Sequence, residues 1–347
     1  MDGTVKYSLD AGSSSLAEAV PRNPLASSSI PTISSPLRVK QIWAVGGGKG
    51  GIGKSLLASS LAIALSRLGN KIIAVDLDLG GANLHTALGV DLPKQTLSDY
   101  LTQKVPALEQ CISPSGIPRL EMISGAQDSI NVTNLKTNRK LELLQDIRKL
   151  DADYIIFDLG AGTSFNTLDF FLYSDVRLIA MLPEPTSIEN GYRFIKSAYF
   201  RYLSLCPSLD EVKALIEMSM DPKNPLGIKS PADLFREVNK AHPQYASILK
   251  QEIEKFQPYI IVNQTRTQTD VDIGASVKTV CKKYFGIDMD YIGHLDYDSS
   301  VWQSVRRKRP LMLEFPNSRI VSGIEQIVQK ILKNHHFQRQ DQTSESL

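Results

Sequence analysis

Cysteine is scarce in this chain, with three residues in 347. Cys111, Cys206 and Cys281 lie far apart and form no C-x-x-C pair. That spacing argues against a disulfide framework or a zinc site, and suits buried thiols in a reducing cytoplasm. Long apolar runs are missing too; none approaches the roughly 18 residues a membrane-spanning helix needs. Charge of one sign is not in excess, since 39 Lys+Arg against 37 Asp+Glu leave +2. Any basic surface must therefore be local. The first residues lack a charged-then-apolar leader pattern, so secretion is not expected. Residues 1–38 are nearly devoid of aromatics and of hydrophobic period, and Ser and Pro dominate them. A disordered arm is expected there.

From Gln41 the pattern changes. "QIWAV" is a short apolar run ending in glycines, and a helical period follows from Lys54 to Leu68, closed by Gly69 and Asn70. "KIIAVD" is a second buried-strand run, so a β-loop-α-β unit opens a parallel sheet. Further strands are expected at 119–124, 154–158, 176–182, 259–263 and 289–295, with helical stretches between most of them. The economical fold is α/β, a mostly parallel sheet with helices on both faces. About 75 residues separate Leu182 from Gln257, several times what one crossover helix needs. Within them Ser230, Pro231 and Asp233 carry helix-start chemistry. A small helical insertion over about 205–256 is expected, inside a domain of 39–335 that is followed by a polar tail, 336–347.

"AVGGGKGGIGKSLL" (44–57) holds two phosphate-binding signatures at once. Gly48, Gly50 and Gly53 spell G-x-G-x-x-G, whereas Gly48, Gly53, Lys54 and Ser55 spell the P-loop. Asp76, at the end of the second strand, stands about where a ribose-binding acid would in a dinucleotide fold. Three features favour the P-loop. Lys54 and Ser55 follow the last glycine directly, giving a lysine for the β/γ-phosphates and a hydroxyl for Mg²⁺. Asp158 ends a buried strand, where a second magnesium-binding acid belongs. Asp78 adds an acid just past a strand tip. A second lysine, Lys49, sits on the loop body, better placed to reach outward toward a nucleotide on another subunit than to replace amides facing the phosphates.

In this loop the sequence resembles the MinD/ParA family, with its deviant P-loop. The likeness continues through "VDLDLGGANLHTALGV" (75–90), "IIFDLGAGTS" (155–164), "IIVNQTR" (260–266) and residues 291–318, and covers roughly 40–333. It is nearest to the FlhG/FleN-type and MinD-like members. The resemblance implies a SIMIBI-type P-loop NTPase fold, ATP and Mg²⁺ as cofactors, and an ATP-dependent homodimer. It implies that Lys49 contacts nucleotide across the dimer, that Lys54 holds phosphate, and that Asp78 orients the attacking water. Ser55, Asp76 and Asp158 would serve the magnesium, and 158–162 would sense the γ-phosphate. Gly48, Gly50, Gly51, Ile52, Gly53, Lys54, Ser55 and Leu56 would cradle the nucleotide, Asn263 and Arg266 would border the adenine, and Asp298 would lie in the segment closing over the base. Such a protein hydrolyses ATP slowly, answers to a protein partner and positions an object such as a division site, flagellum or chromosome.

Other features qualify that picture. Residues 1–40 lack the D-Q-A core of flagellar activating motifs. The final amphipathic helix, with Ile324, Ile327, Val328, Ile331 and Leu332 on one stripe, has few cations and is expected to pack on the core. "VRRKRP" (305–310), with Lys278, Lys282 and Lys283, could form a basic patch. A membrane surface and nonspecific DNA both stay open as partners, and the expected location is the cytoplasm, with the inner membrane face an alternative. Isolated cysteines argue against a nitrogenase-type iron protein. The alternative reading is a metabolic enzyme of the same fold, of the cobyrinate amidase or dethiobiotin synthetase type; a scaffold without hydrolysis fits Asp78 poorly.

Overall fold

A computed structural model describes residues 40–125, 135–221 and 223–344, with side chains described to residue 335. The arm expected over 1–38 lies outside the described residues. The sheet has eight strands: β1 (Gln41–Gly46), β2 (Ile72–Leu77), β3 (Ile112–Pro114), β4 (Leu120–Ile123), β5 (Tyr154–Leu159), β6 (Val176–Met181), β7 (Tyr259–Thr265) and β8 (Asp290–Asp296). Their order is β3-β4-β2-β5-β1-β6-β7-β8. Every pairing is parallel except β3 with β4. From β1 the chain builds one half through β2 and β5, then returns to build the other through β6, β7 and β8. The carboxyl end of β1 is therefore the topological switch point, where open α/β sheets bind ligands.

The inner strands β1, β2 and β5 read as nearly unbroken apolar runs because both faces are covered. Successive side chains alternate between two cores. Ile42, Ala44, Ile73, Val75, Ile155, Phe157 and Ile179 point into one, which continues into helices Thr137–Lys149, Phe165–Tyr173 and Pro185–Leu205. Trp43, Val45, Ile72, Ala74, Ile156 and Leu178 point into the other, beneath helix Lys54–Arg67 and the final helix Arg319–Ser344. The stripe of Ile324, Ile327, Val328 and Ile331 is buried in that second core, as its spacing suggests. This helix continues to Ser344, into the segment read as a polar tail.

Residues 207–255 form a short 3₁₀ turn and helices Lys213–Met220, Pro231–Ala241 and Pro243–Lys255. Ser230 caps the middle helix, with Asp233 completing a reciprocal capping box. Leu209, Ile216, Leu234, Val238 and Leu249 join the first core, so these helices are continuous with the sheet's packing. β3 has no counterpart among the strands expected from sequence. It is three residues long and ends in Pro114, too short for an alternation to show.

Candidate nucleotide-binding site

The loop between β1 and helix Lys54–Arg67 owes its path to close contacts that only glycine permits. A Cβ on Gly46 would meet Phe194 Cζ at 2.8 Å, and one on Gly47 would meet the Ala180 carbonyl oxygen at 2.8 Å. A Cβ on Gly48 would run into the Asn190 backbone carbonyl. The run Gly46–Gly48 is thus a seam pressed against β6 and helix Pro185–Leu205. Gly51 and Gly53 have φ of 76° and 91°, the left-handed region that bulkier residues resist. No atom lies within 4 Å of a Cβ built on Gly50 or Gly51, so this part of the loop is open. Ile52 is buried and anchors the turn, and Leu56 is half-buried on the helix that follows.

Gly53 caps the helix, which starts with Lys54 and Ser55. Orphan amides at such a helix start favour an anion. Lys54 is buried, and its Nζ donates to the Lys49 carbonyl at 3.3 Å, curling back over the loop. Burial lowers the Lys54 pKa, while Asp158 and Asp78 oppose the shift. Lys49 turns the other way. Its Nζ lies 3.4 Å from Glu184 Oε2 and 3.3 Å from Thr186 Oγ1, on the outer side.

Two carboxylates face this loop from beneath. Asp76 and Asp158 are register partners on neighbouring strands β2 and β5. Parallel partners share a face, with strands about 4.8 Å apart. Asp76 is fully buried; its Oδ1 accepts from the Asp78 amide at 3.0 Å and its Oδ2 from the Leu84 amide at 2.9 Å. Burial pushes its pKa from 3.8 up to about 7, against those two amides. Asp158 is buried too, and neither carboxylate oxygen completes a well-formed hydrogen bond, although the Ser55 hydroxyl beside it favours its charge. Burial, then the neighbouring Asp76, holds its pKa well above the ordinary range.

An unpartnered buried carboxylate beside a second one, a hydroxyl and a lysine is a site built for a cation. No cluster of three or more His, Cys, Asp or Glu gathers among the described residues. The donor set therefore suits Mg²⁺, which keeps waters and takes one or two carboxylates together with substrate phosphates. Ser55, Asp76 and Asp158 are the residues that would hold it, supplying charge neutralisation at the phosphates.

Asp78 stands half-exposed at the tip of β2. A Cβ on Gly160 would come within 3.1 Å of Asp78 Oδ1, so glycine leaves the carboxylate its room. The same loop reaches the P-loop, where the Gly162 amide donates to the Gly47 carbonyl at 3.3 Å. The ends of β1, β2 and β5 thus converge on one spot. Asn263, at the end of β7, joins them: its Nδ2 donates to the Ile52 carbonyl at 2.8 Å, and its Oδ1 accepts from the Gln264 amide. As it stands, its side chain braces the loop. Arg266 lies outside this contact network, its guanidinium 4.1 Å from the Tyr297 ring centre. Asp298 caps helix Ser299–Arg307 by accepting from the Ser300 amide at 2.8 Å.

Glu184, Thr186 and Asn190 escape the sequence reading. Pro185 marks the helix start and so places Glu184 just past the carboxyl end of β6, beside β1, but nothing in the sequence brings that end to the loop. Substituting Lys54→Ala should abolish the rise in melting temperature that ATP causes, because the charge shared by the β- and γ-phosphates would lose its buried cation. Differential scanning fluorimetry reads this directly, and an unchanged shift would remove Lys54 from phosphate binding.

The fold and the loop together define the class, a P-loop NTPase. Residues 38–193 match the ParA family, described as NUBPL iron-transfer P-loop NTPase. The antiactivator FleN of Pseudomonas aeruginosa is 24% identical over 292 residues, covering 84% of this chain and 86% of FleN. The flagellum site-determining protein YlxH of Helicobacter pylori is 32% identical over 166 residues, 44% of this chain and 52% of YlxH. Septum site-determining MinD from Pyrococcus horikoshii, solved in complex with Mg-ADP, shares the fold with a TM-score of 0.57 at 19% identity, covering 84% of this chain and 96% of MinD. Within the class, the chain is similar to MinD/ParA-type ATPases, FleN among them.

Proposed function

We propose that this protein is an ATP-dependent dimerising switch that hydrolyses ATP to ADP and phosphate and thereby positions a cellular object. The observation that carries the reading is the divergence of the two loop lysines. Lys54 curls inward over the loop, whereas Lys49 leans outward to Glu184 and Thr186. An inward lysine serves the protein's own nucleotide. An outward one serves a nucleotide presented by a second copy, as a cation supplied in trans. Asp78 would orient the attacking water from the tip of β2, and Ser55, Asp76 and Asp158 would hold Mg²⁺, which would neutralise charge at the phosphates. Gly48 to Leu56 cradle the phosphates, and Asn263 and Arg266 border the base. The Mg-ADP of the MinD neighbour supports nucleotide and metal of this kind. The buried free cysteines suit a cytoplasmic protein. A partner protein sets the turnover rate and the cargo.

The test is dimerisation. A ligand shifts an equilibrium only through differential affinity, so ATP must favour the dimer and ADP must not. Asp78→Ala protein should be dimeric with ATP and monomeric with ADP in size-exclusion chromatography with light scattering. Adding Lys49→Ala should return the ATP form to monomer while ATP still raises the melting temperature. A double variant that dimerises as before would sink the trans role of Lys49. A dimer indifferent to nucleotide would favour the metabolic-enzyme alternative.

A further inference from the structure

The ten residues ahead of Lys40, "IPTISSPLRV" (30–39), carry a period of their own. Ile30, Ile33, Pro36 and Val39 recur every three residues. A helix repeats at 3.6 and a strand at 2, so neither keeps these four on one face. A polyproline II helix, with three residues per turn and no internal hydrogen bonds, does. Pro31 and Pro36 favour that backbone, and they remove two amide donors that a dry partner would have to satisfy.

A groove of matching character runs between helix Lys54–Arg67 and the final helix. It holds about 630 Å³ and is lined by Ala64, Arg67, Leu68, Val328 and Gln329, among others. Ala64 and Val328 belong to the second core, whereas Leu68, which ends the first of these helices, is 50% exposed. A single exposed leucine needs no explanation, but one standing over an apolar hollow does. Arg67 is fixed at the rim, donating to the Met312 carbonyl at 2.7 Å and lying 3.5 Å from Glu325. From Ser322 to Gln329, both on the groove wall, the final helix rises about 10 Å.

The chain enters the sheet at the end where Leu68 stands. Gln41 and Ile72 both pair with Tyr154, one from either side, so the starts of β1 and β2 lie two strand spacings apart, about 10 Å. Asp153 ties them together, giving its carbonyl to the Gln41 amide and its amide to the Lys71 carbonyl. Leu68 precedes Ile72 by four residues, at the end of the sheet opposite the nucleotide loop. A polyproline-type segment covers about 3.1 Å per residue, so residues 30–39 reach about 30 Å. That is enough to cross the gap and fill the groove.

We propose that residues 30–39 of this chain lie in the groove as an extended strap, with Ile30, Ile33 and Pro36 set against Ala64, Leu68 and Val328. Lys40 turns to the first core's side, donating to the Arg148 and Leu150 carbonyls, so by alternation Val39 turns to the side of the groove. A tether this short gives the strap an effective concentration in roughly the millimolar range, so a few apolar contacts suffice. Any other occupant must first displace it. The proposal does not depend on the nucleotide site.

Cross-linking in the full-length protein reads the contact. The native cysteines are buried, so a new exposed pair can be oxidised selectively. Ile33→Cys with Leu68→Cys should close an intramolecular disulfide on the order of tenfold faster than Ile33→Cys with Leu226→Cys, whose leucine is exposed on the helical insertion. Melting gives a second readout. Ile33→Ser and Leu68→Ser should each lower the melting temperature by about 2 °C or more, and the double variant by less than the sum, because both remove one contact. The rise caused by ATP should be the same in all three variants. Equal closing rates for the two cysteine pairs would overturn the proposal. So would an Ile33→Ser protein that melts as the unaltered chain does. A Leu68→Cys single variant that oxidises to a dimer as fast as the pair closes would seat a second copy in the groove, and would overturn it too.

Discussion

Asp78→Ala protein should bind ATP as the unaltered chain does and hydrolyse it slower by a factor on the order of 10² or more. The expectation rests on where Asp78 sits and on what surrounds it. Asp76 and Asp158 are buried, and one of them is already engaged by two amides. Asp78 is half-exposed, and its carboxylate is kept clear by Gly160. Its Oδ1 accepts from the Gly80 amide at 3.4 Å, and of the three acids it is the one exposed to a proton-bearing group from outside the protein. Its loop touches the 160–162 turn, which touches the P-loop in turn. Losing an orienting acceptor lowers the rate of the chemical step without removing the phosphate cradle. Phosphate release and nucleotide affinity, measured on the same preparation, separate the two. Near-normal turnover would take Asp78 out of the reaction, and lost affinity would make it part of binding.

The second large effect is opposite in sign for stability and for function. Asp158→Asn should make the ligand-free protein more stable at neutral pH and end its Mg²⁺-dependent gain from nucleotide. The Asp158 carboxylate is buried without a completed hydrogen bond, beside another buried carboxylate. The pKa of Asp76 rises from 3.8 to about 7, and that of Asp158 rises as well. With raised values the folded state holds more protons than the unfolded one. Stability therefore falls as pH climbs from about 4, and for Asp76 the fall extends to about 7. The amide removes one charge and relieves the other. A gain of a few kcal/mol should raise the melting temperature by at least about 3 °C in a chain of this size. A lower melting temperature for the ligand-free variant would mean that Asp158 has a structural partner after all.

The parallel sheet was legible because inner strands buried on both faces leave nearly unbroken apolar runs, as β1, β2 and β5 do. β3 was not, since three residues ending in proline carry no pattern. Lys54 and Ser55 stood out in the sequence by the P-loop spacing, and Asp76, Asp78 and Asp158 by their places at or just past strand ends. The structure brings these residues to the same end of the sheet. Glu184, Thr186 and Asn190 did not stand out. Their relation to the loop exists only because Gly46, Gly47 and Gly48 let helix Pro185–Leu205 press against it, and no spacing in the sequence encodes that approach.

The pairing of Asp76 with Asp158 has a consequence for how this chain can change over time. Both acids reach the loop because β2 and β5 are in phase, and side chains alternate with a period of two. Deleting a single residue within either strand would swing its acid to the opposite face and bring an apolar neighbour, such as Phe157 or Leu159, to the loop. Insertions beyond the strands carry no such cost, as residues 207–255 illustrate by adding three helices between β6 and β7. Variation in length should therefore be frozen in β2 and β5 and free at the sheet's periphery, which makes the two strands a ruler against which the rest of the chain can lengthen.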